Sequence, residues 1–483
     1  MLGQAPTCPT AECIAEFLEG KLVSSGYILY YIDTYPSELQ GRNIVQIWAK
    51  QLRYLGMAYK ANTFYFHYAL DGDEFTITLR HSVHPNLPSD SIKKIGFNLG
   101  MCYLIDMMEI TLPEKVWVYK KLPTSGRAYW ENLFEEEVIE KLYEYDLPTS
   151  RKYVTWEYGD QVADLRLAPF PSNRNKAAIC LTGGKESLSI FKTLKGKKPL
   201  LLFFLNPEIN VHRQRVYQTV KDDYPTVKTS SNRDTIFEKL LKRYPGFPGG
   251  VDMVHLLFNT MLYGDSCEYV LLGNEYSSNY PNTIYEGHVL NHQYIKTIHT
   301  CEQLNRYVHE FVTEGFSYYS PFFGMYELLI SDLLFKDDEY LAVWTSCNRT
   351  TSTINFCSNC HKCAFSYLIG RLKRPESYLS RFFSRDMMQD VALYRPLMDF
   401  VGVKPFDCVG DKTEVWVGLE LLKRKGVDNP VIRYYTEHIR PEIEKEIDKD
   451  IKQITSIQRV PIQVPEELQD IFYSALGVSA PPR

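Results

Sequence analysis

The sequence predicts an α/β protein in which a parallel sheet follows a smaller α+β region. Residues 177–205 have the pattern strand, Gly-rich turn, helix, strand, which is the repeating unit of a parallel sheet. Residues 64–79 have the pattern of two strands joined by a tight turn, which is typical of a hairpin. Apolar residues make up 45% of the chain and charged residues 23%, and these values exclude a largely disordered, collagen-like or coiled-coil protein.

The length of 483 residues predicts two to four domains, at roughly 150 residues per domain. Residues 167–176, which include Pro169, Pro171 and Asn173, form the best candidate linker. We therefore expect an N-terminal α+β domain over 1–165, a central parallel-sheet domain over 166–415 and a C-terminal helical tail over 416–483.

Hydrophobic patterning assigns the elements in order. Apolar residues at helical spacing predict helices over 14–22, 133–143 and 187–194. Alternating or continuous apolar runs predict strands over 64–68, 75–79, 115–119, 177–181, 199–205, 269–272 and 340–344. The turn between the first two strands is Asp71-Gly72-Asp73. Alternating Glu and Lys over 438–454 predict a solvated surface helix.

Charge and hydropathy exclude several classes. The net charge is -5, so we expect no bulk attraction to nucleic acid or to an anionic membrane. The longest apolar runs, such as Leu200 to Leu205, are far shorter than the roughly 20 residues that span a bilayer. The first residues lack a basic region and an apolar signal core, which predicts a cytoplasmic chain. Eleven cysteines in a reducing compartment indicate free thiols or metal ligands.

A phosphate-binding loop is predicted over 182–187, Thr-Gly-Gly-Lys-Glu-Ser, between a buried strand and a helix. The two glycines let backbone N–H groups approach a ligand, and the helix N-terminus favours an anion. Lys185 adds a positive charge and Ser187 a hydroxyl group. The spacing differs from the G-x-x-x-x-G-K-[ST] loop. We expect Lys185 to face solvent when no ligand is bound. An ordinary Gly-Gly turn is the structural alternative.

Four cysteines, Cys347, Cys357, Cys360 and Cys363, lie within seventeen residues. Such a set is best explained by a tetrahedral Zn²⁺ site of structural type, with an iron–sulfur cluster or unligated thiols as alternatives. Four thiolates leave a charge of -2 on the zinc site, which Arg349, His361 and Lys362 could offset. Cys102, Cys180, Cys267 and Cys408 are expected to be buried small apolar side chains.

The loop over 182–187 resembles the Ser-Gly-Gly-x-Asp-Ser signature of the PP-loop ATP pyrophosphatases, the adenine nucleotide α-hydrolase superfamily. Thr182 and Glu186 depart from that signature. With the cysteines, the loop also resembles the 7-cyano-7-deazaguanine synthases. A closer resemblance is to the UDP-N-acetyl-α-D-muramoyl-L-alanyl-L-glutamate epimerases. Five sequence segments carry this resemblance, and their order along the chain is the same as in the family. They are 273–278, 289–296, 346–349, 357–365 and 404–410. Residues 68–75 extend the likeness into the first domain.

The resemblance implies a PP-loop fold and the use of ATP and Mg²⁺ to invert the terminal L-glutamate of a muramoyl dipeptide through an acyl-adenylate. It implies that the central domain binds ATP and that the N-terminal domain recognises substrate. The implied nucleotide-binding residues are Thr182, Gly183, Gly184, Lys185, Glu186, Ser187 and Asn274. The implied candidates for proton transfer or carboxylate binding are Lys185, Glu275, His288, His292, Lys296 and Arg349.

Two alternatives stay open on the sequence. The run from Gly100 to Asp106 departs from the family pattern, which allows another carboxylate substrate and hence a ligase or amidating enzyme. A zinc-stapled nucleotide-binding protein without enzymatic activity is the second alternative. Arg213 and Arg215 could face phosphate but are more typical of solvated arginines.

Overall fold

The computed structural model describes residues 48–208, 211–244, 251–347, 355–461 and 464–478. The predicted helix over 14–22 and the candidate residue Arg349 lie outside these ranges.

The described residues form twelve strands. Their bounds are β1 (Gln51–Lys60), β2 (Thr63–Leu70), β3 (Asp73–His81), β4 (Lys115–Val118), β5 (Thr155–Tyr158), β6 (Lys176–Cys180), β7 (Leu200–Phe204), β8 (Thr226–Ser231), β9 (Cys267–Leu271), β10 (Thr283–Tyr285), β11 (His288–Leu290) and β12 (Ser317–Tyr319).

Helices connect the strands and also follow the last strand. Their bounds are α1 (Ser89–Thr111), α2 (Thr124–Glu144), α3 (Lys185–Leu194), α4 (Val211–Val220), α5 (Arg233–Leu241), α6 (Asp252–Met261), α7 (Ile298–Tyr307), α8 (Glu327–Leu334), α9 (His361–Lys373), α10 (Glu376–Leu379), α11 (Val391–Met398), α12 (Lys412–Arg424), α13 (Pro430–Tyr434), α14 (Arg440–Ile443), α15 (Ile447–Ile454) and α16 (Glu466–Leu476).

Ten of the strands form one continuous sheet in the order β12-β9-β6-β7-β8-β3-β2-β1-β4-β5. The strands from β12 to β8 are parallel, the strands from β8 to β1 are antiparallel, and β1, β4 and β5 are parallel again. The antiparallel pairing of β3 with β8 places Leu79 opposite Ser231 and joins the two parts of the sheet. The predicted α/β class with a largely parallel sheet is confirmed. The PP-loop assignment and the domain boundaries remain predictions.

The hairpin of β2 and β3 shows why the first predicted strands form. Asp71 and Gly72 both have positive φ, at 51° and 97°, as a tight two-residue hairpin turn requires. The Asp71 carboxylate accepts hydrogen bonds from the backbone N–H groups of Lys50 and Gln51 at 2.7 and 2.9 Å. The turn is therefore anchored to the start of β1 as well as to its own strands.

Helices cover the two faces of the sheet and bury two apolar clusters. One cluster contains α1, which is buried along nearly its whole length, together with side chains of α2, α6 and α7. The other contains side chains of α3, α8, α9 and α12. The first cluster extends from Ala49 to Phe323, and so crosses the predicted linker. Within that linker, Leu167 is buried and its N–H donates to the Val312 carbonyl at 2.9 Å.

Two sequence predictions of secondary structure are wrong. Residues 340–344 form a 3₁₀ turn over Leu341–Val343 instead of a strand, because the Trp344 indole packs against Phe335 and Phe356 and not in a sheet. The predicted single helix over 438–454 is interrupted by a turn over 444–446, between α14 and α15, and its first two residues belong to a π-helical turn over Tyr435–Ile439. Ile439, Ile443, Ile447 and Ile454 are buried, so only one face of this segment is solvated. Among the described residues, no helix is long and apolar enough to cross a membrane.

Candidate active site

The predicted phosphate loop lies where β6 ends, beside the end of β9. Because β6 and β9 are parallel neighbours, their carboxyl ends open at the same edge of the sheet, where open α/β sheets bind ligands. Gly273, just after β9, packs on the start of α3, since a Cβ atom at this position would lie 2.3 Å from Cβ of Glu186. Glycine therefore permits the close approach of these two segments.

The loop over 182–187 turns tightly and is closed by its own hydroxyl groups. Gly183 has φ +90°, a conformation that favours glycine, and its carbonyl accepts a hydrogen bond from the Thr345 N–H at 2.8 Å. Ser187 Oγ donates to the Gly184 carbonyl at 3.2 Å and accepts from the Thr182 N–H at 3.3 Å. The helix α3 begins at Lys185, two residues before the predicted start, so this lysine belongs to the first helical turn.

Lys185 is buried, which corrects the prediction that it faces solvent. It is only 5% exposed, and its ammonium group forms ion pairs with Glu186 and with Glu327, the first residue of α8. Burial alone would lower the pKa of the Lys185 ammonium group, but the carboxylates of Glu186, Glu327 and Glu275 raise this pKa well above its usual value. The lysine is therefore a fixed cation held by acidic side chains.

Glu275 and Glu327 are buried carboxylates beside this lysine. Glu275 is 2% exposed, and its Oε2 accepts no hydrogen bond from any residue that the structure describes. Burial raises the pKa of Glu275, although the Lys296 ammonium group opposes this shift. Burial also raises the pKa of Glu327, to about 7, against the opposing charge of Lys185. A buried acceptor without a donor is expected where a ligand or water supplies the missing contact.

Asn274 is fixed by the end of β12. Its backbone N–H donates to Ser320 Oγ at 3.0 Å, and its side-chain amide donates to the Tyr318 hydroxyl. Asn274 is buried, so both contacts are inside the protein. The structure places it next to Glu275 as a residue that holds the loop after β9, and its contact with a nucleotide remains a prediction.

The three predicted basic residues after β10 occupy different surroundings. Lys296 lies in the interior, where burial would lower the pKa of its ammonium group but Cys408, Glu275 and Glu186 raise it. His292 faces Glu140 of α2, with Nδ1 3.0 Å from the nearer carboxylate oxygen. His288 is exposed on β11. The structure therefore brings Lys296 and His292 toward the candidate site and leaves His288 at the surface.

Cys408 does not have the apolar surroundings that the sequence predicted for it. It is partly exposed, whereas Cys102, Cys180 and Cys267 are buried as expected. Burial would raise the pKa of the Cys408 thiol, but the Lys296 charge and a hydrogen bond with His292 lower it well below its usual value. The prediction is wrong because charged side chains from distant segments converge on this thiol.

Three residues of this region escaped sequence reasoning, namely Glu140, Glu327 and Cys408. No local motif marks Glu140 or Glu327, which lie in otherwise ordinary helices and pair with residues 152 and 142 positions away. For Cys408 a signal existed, because it belongs to the segment 404–410 on which the family resemblance partly rests. Arg213 and Arg215 are tied to the Leu205 carbonyl and the Asn355 side chain, at 2.8 and 2.7 Å.

The four predicted cysteine ligands converge. Their sulfur atoms all lie within 4.8 Å of one another, with 3.9 Å between Cys347 and Cys360 and 3.6 Å between Cys357 and Cys363. A tetrahedral Zn²⁺ with Zn–S bonds of about 2.3 Å requires sulfur atoms about 3.8 Å apart. The donor set thus fits a zinc ion and uses all four coordination positions, which is typical of a structural site.

The start of α9 connects this cysteine cluster with the candidate site. His361, which follows Cys360, has its Nδ1 3.2 Å from the carboxylate of Asp407. Asp407 immediately precedes Cys408, so the contact ties the segment that carries this thiol to the cysteine cluster. His361, one of the residues predicted to offset the thiolate charge, therefore contacts a carboxylate. Arg349, another of them, lies outside the described residues.

Comparison with known proteins gives two family matches. The profile of the MurL N-terminal domain matches residues 250–321, and that of the MurL C-terminal domain matches residues 343–450. All five sequence segments that carry the family resemblance lie inside these two matched ranges. The loop over 182–187 lies outside them. No solved structure matches the chain at a significant level.

Curated proteins named UDP-N-acetyl-alpha-D-muramoyl-L-alanyl-L-glutamate epimerase are similar to part of the chain. The relative from Micromonospora is 32% identical over 34% of this chain and 39% of its own length. The relative from Salinispora tropica is 33% identical over 34% of this chain and 38% of its own length. The relative from Xanthomonas oryzae is 26% identical over 42% of this chain and 48% of its own length. The matches thus span less than half of each relative. Over these segments, the chain is similar to the MurL family.

Proposed function

We propose that this protein is an ATP-dependent epimerase that inverts the α carbon of the terminal L-glutamate of a muramoyl dipeptide, UDP-MurNAc-L-Ala-L-Glu or a related peptide. The names of the curated relatives describe this substrate and this type of reaction. The observation that carries the proposal for this chain is the buried Lys185, which is fixed between Glu186 and Glu327 directly after the Gly-Gly turn. A fixed cation beside a helix N-terminus suits a triphosphate.

The proposed chemistry explains why ATP is needed. Removing the α proton next to a carboxylate anion is unfavourable because negative charge would accumulate on one group. ATP converts the carboxylate to an acyl-adenylate and releases pyrophosphate, and the activated carbonyl can accept the electron pair as an enolate. A side chain then takes the α proton, and a proton returns from the opposite face. Water finally hydrolyses the acyl-adenylate, which releases AMP and restores the free carboxylate.

In this proposal the residues of the loop bind ATP. Gly183, Gly184, Lys185 and Ser187 contact the phosphates, while Thr182 and Glu186 shape the loop or help to place Mg²⁺. Since Lys185 is already paired with carboxylates, the triphosphate must replace at least one of these ion pairs. Among the described residues, only the cysteines form a ready-made set of three or more metal ligands. Mg²⁺ would thus arrive with the nucleotide, as is usual for this ion.

The cysteine cluster has a structural task in the same proposal. Zinc on four thiolates has no free position for a substrate. It would join Cys347 to the start of α9, where His361 contacts Asp407 beside Cys408. Because the reaction consumes ATP and acts on a muramoyl peptide, we place it in the cytoplasm and in peptidoglycan biosynthesis.

The experiment is incubation of the purified protein with ATP, Mg²⁺ and UDP-MurNAc-L-Ala-L-Glu in D₂O. An epimerase forms AMP and pyrophosphate and carries solvent deuterium into the α position of glutamate. Mass spectrometry follows the deuterium, and chiral analysis after hydrolysis follows D-glutamate. Omission of ATP is the matched control.

The same experiment separates the alternatives. A carboxylate-activating ligase or amidating enzyme requires a second nucleophile and leaves the α hydrogen in place. A nucleotide-binding protein without activity forms neither pyrophosphate nor deuterated product. Either result with folded, zinc-containing protein would contradict the proposed epimerase function.

A further inference from the structure

Three distant segments meet at the thiol of Cys408. The thiol shares a side-chain hydrogen bond with the ring of His292, and the Nδ1 atom of that ring faces the carboxylate oxygens of Glu140 at 3.0 and 3.1 Å. Cys408 lies between α11 and α12, His292 follows β11, and Glu140 belongs to α2. The arrangement is a cysteine, a histidine and a carboxylate in series, the order in which a base activates a thiol.

Backbone contacts fix this arrangement on both sides. The side-chain amide of Asn282 donates to the backbone carbonyl groups of Lys404 and Pro405 at 3.1 and 3.0 Å. Its oxygen accepts a hydrogen bond from the backbone N–H of His292 at 2.9 Å. One asparagine therefore binds the segment of Cys408 to the segment of His292. On the other side, the contact of Asp407 with His361 connects the same segment to the cysteine cluster.

Lys296 is the second charged group of the arrangement, and the segment over 289–296 supplies both it and His292. Cys408 and the buried Glu275 both raise the pKa of its ammonium group. Oε2 of Glu275 accepts no hydrogen bond from any described residue, so it can accept one from a ligand. Cys408 is also partly exposed.

We propose that Cys408 exchanges the α proton of the substrate, that Lys296 is its counterpart on the opposite face, and that His292 and Glu140 position and ionise the thiol. This inference rests on the proposed function, because it needs an activated glutamyl carboxyl group. It assigns to a cysteine a part of the reaction that the sequence had divided among histidines and a lysine.

The proton balance of the proposed step is complete. The Cys408 thiolate takes the α proton, so that the C–H bond breaks, an S–H bond forms, and the electron pair moves into the activated carboxyl group as an enolate. The Lys296 ammonium group then gives a proton to the other face, which forms a new C–H bond and leaves a neutral amine. Transfer of the thiol proton to this amine restores both charges, and no oxidant or reductant is needed.

The test separates carboxylate activation from proton exchange in Cys408→Ala and Cys408→Ser. Exchange of labelled pyrophosphate into ATP, in the presence of the muramoyl dipeptide, measures activation. Deuterium uptake at the α carbon measures proton exchange. We expect both variants to keep pyrophosphate exchange within about threefold and to lose α exchange and inversion by about 10²- to 10⁴-fold. Cys267→Ala, at a buried thiol away from the site, should keep both activities.

A second measurement does not depend on turnover. Iodoacetamide labelling of the wild-type protein, read by peptide mass spectrometry, reports the thiolate fraction of each cysteine between pH 5 and 9. The charged groups that face Cys408 are Lys296, His292 and Lys362, with Glu140 behind the histidine and Asp407 alongside. We expect labelling of Cys408 at pH 6, none of Cys267, and a shift of the Cys408 profile to higher pH in Glu140→Gln.

The outcomes are distinct. Normal inversion by either Cys408 variant, or a Cys408 labelling profile like that of an ordinary thiol, would overturn the assignment of Cys408. Absence of both pyrophosphate exchange and α exchange in the wild-type protein would instead overturn the proposed function. If Cys408→Ala does not fold, Cys408→Ser retains nearly the same side-chain volume and the labelling of wild-type protein still decides.

Discussion

The cysteine cluster and the cluster around Lys185 are both polar groups inside a mostly apolar protein, but they differ in completeness. The four sulfur atoms lie at mutual distances that one zinc ion satisfies entirely. Around Lys185, by contrast, Glu275 has a carboxylate oxygen that accepts no hydrogen bond from any described residue. A complete set of ligands can only stabilise the fold, whereas an incomplete one retains the capacity to bind something else. The two clusters should therefore respond differently to mutation.

Loss of the metal should have the largest effect. Cys360→Ser removes one of four ligands, and we expect it to lose zinc and about 5 kcal/mol or more of unfolding free energy, because the binding free energy of a structural zinc site is folding free energy. Metal analysis and urea unfolding provide the measurement. Cys267→Ala is the matched control, with a cost of about 1 kcal/mol for the small cavity. Carefully purified, folded wild-type protein without metal would contradict the zinc assignment.

Removal of Lys185 should affect both stability and activity. Lys185→Ala leaves the buried carboxylates of Glu186 and Glu327 without their cation, and breaking such a buried pair costs about 3–5 kcal/mol. Under the proposed function, pyrophosphate release should fall by at least about 10²-fold, since the variant lacks the charge proposed to bind the triphosphate.

The control for Lys185 is a lysine on the same helix. Lys192 pairs with the half-exposed Asp337 at 2.8 Å, and Lys192→Ala should cost at most about 1 kcal/mol and leave activity unchanged. Equal destabilisation by the two variants, measured by urea unfolding, would show that the Lys185 cluster has no special role.

His292 offers a test through pH. Burial would lower the pKa of its ring, but Cys408 and Glu140 raise it to about 10. The stabilisation from the protonated ring is therefore fully present below pH 6.5 and is lost as pH rises to about 10. His292→Gln should cost about 2 kcal/mol near pH 6 and progressively less toward pH 10.

The exposed His288 is the matched control for this titration. His288→Gln should change the unfolding free energy by less than about 0.5 kcal/mol at every pH, as surface substitutions usually do. A cost of His292→Gln that does not vary between pH 6 and 10 would contradict the ion pair with Glu140.

Glu186→Asp should have the smallest effect. It introduces the aspartate of the Ser-Gly-Gly-x-Asp-Ser signature that the loop resembles. The carboxylate is retained, although the side chain is shorter by one methylene. Because Lys185 also pairs with Glu327, we expect a stability change of about 1 kcal/mol or less and pyrophosphate release within about tenfold. A larger loss of turnover would mean that the loop geometry depends on the longer side chain.

Local patterns predicted the local features of this molecule. The alternation of apolar and polar residues and the turn-forming residues predicted β2, β3 and the turn at Asp71. The spacing of the four cysteines predicted that their sulfur atoms converge. The interactions around the candidate site depend on residues far apart in sequence. Glu140 pairs with His292 and Glu327 with Lys185 through tertiary packing that no short motif records. The error at 340–344 has the same origin, because an apolar run fits a strand and a packed turn equally well.

The continuous sheet limits how this chain can be divided. The edge of β8 that pairs with β3 carries backbone hydrogen-bonding groups, and a fragment beginning at residue 166 would leave these groups and the apolar surface beside them without their partners. An uncovered strand edge of this kind is a template for pairing with another copy, so such a fragment should aggregate. The two parts must then be produced as one polypeptide, and attempts to isolate a minimal catalytic unit should retain β1 to β3.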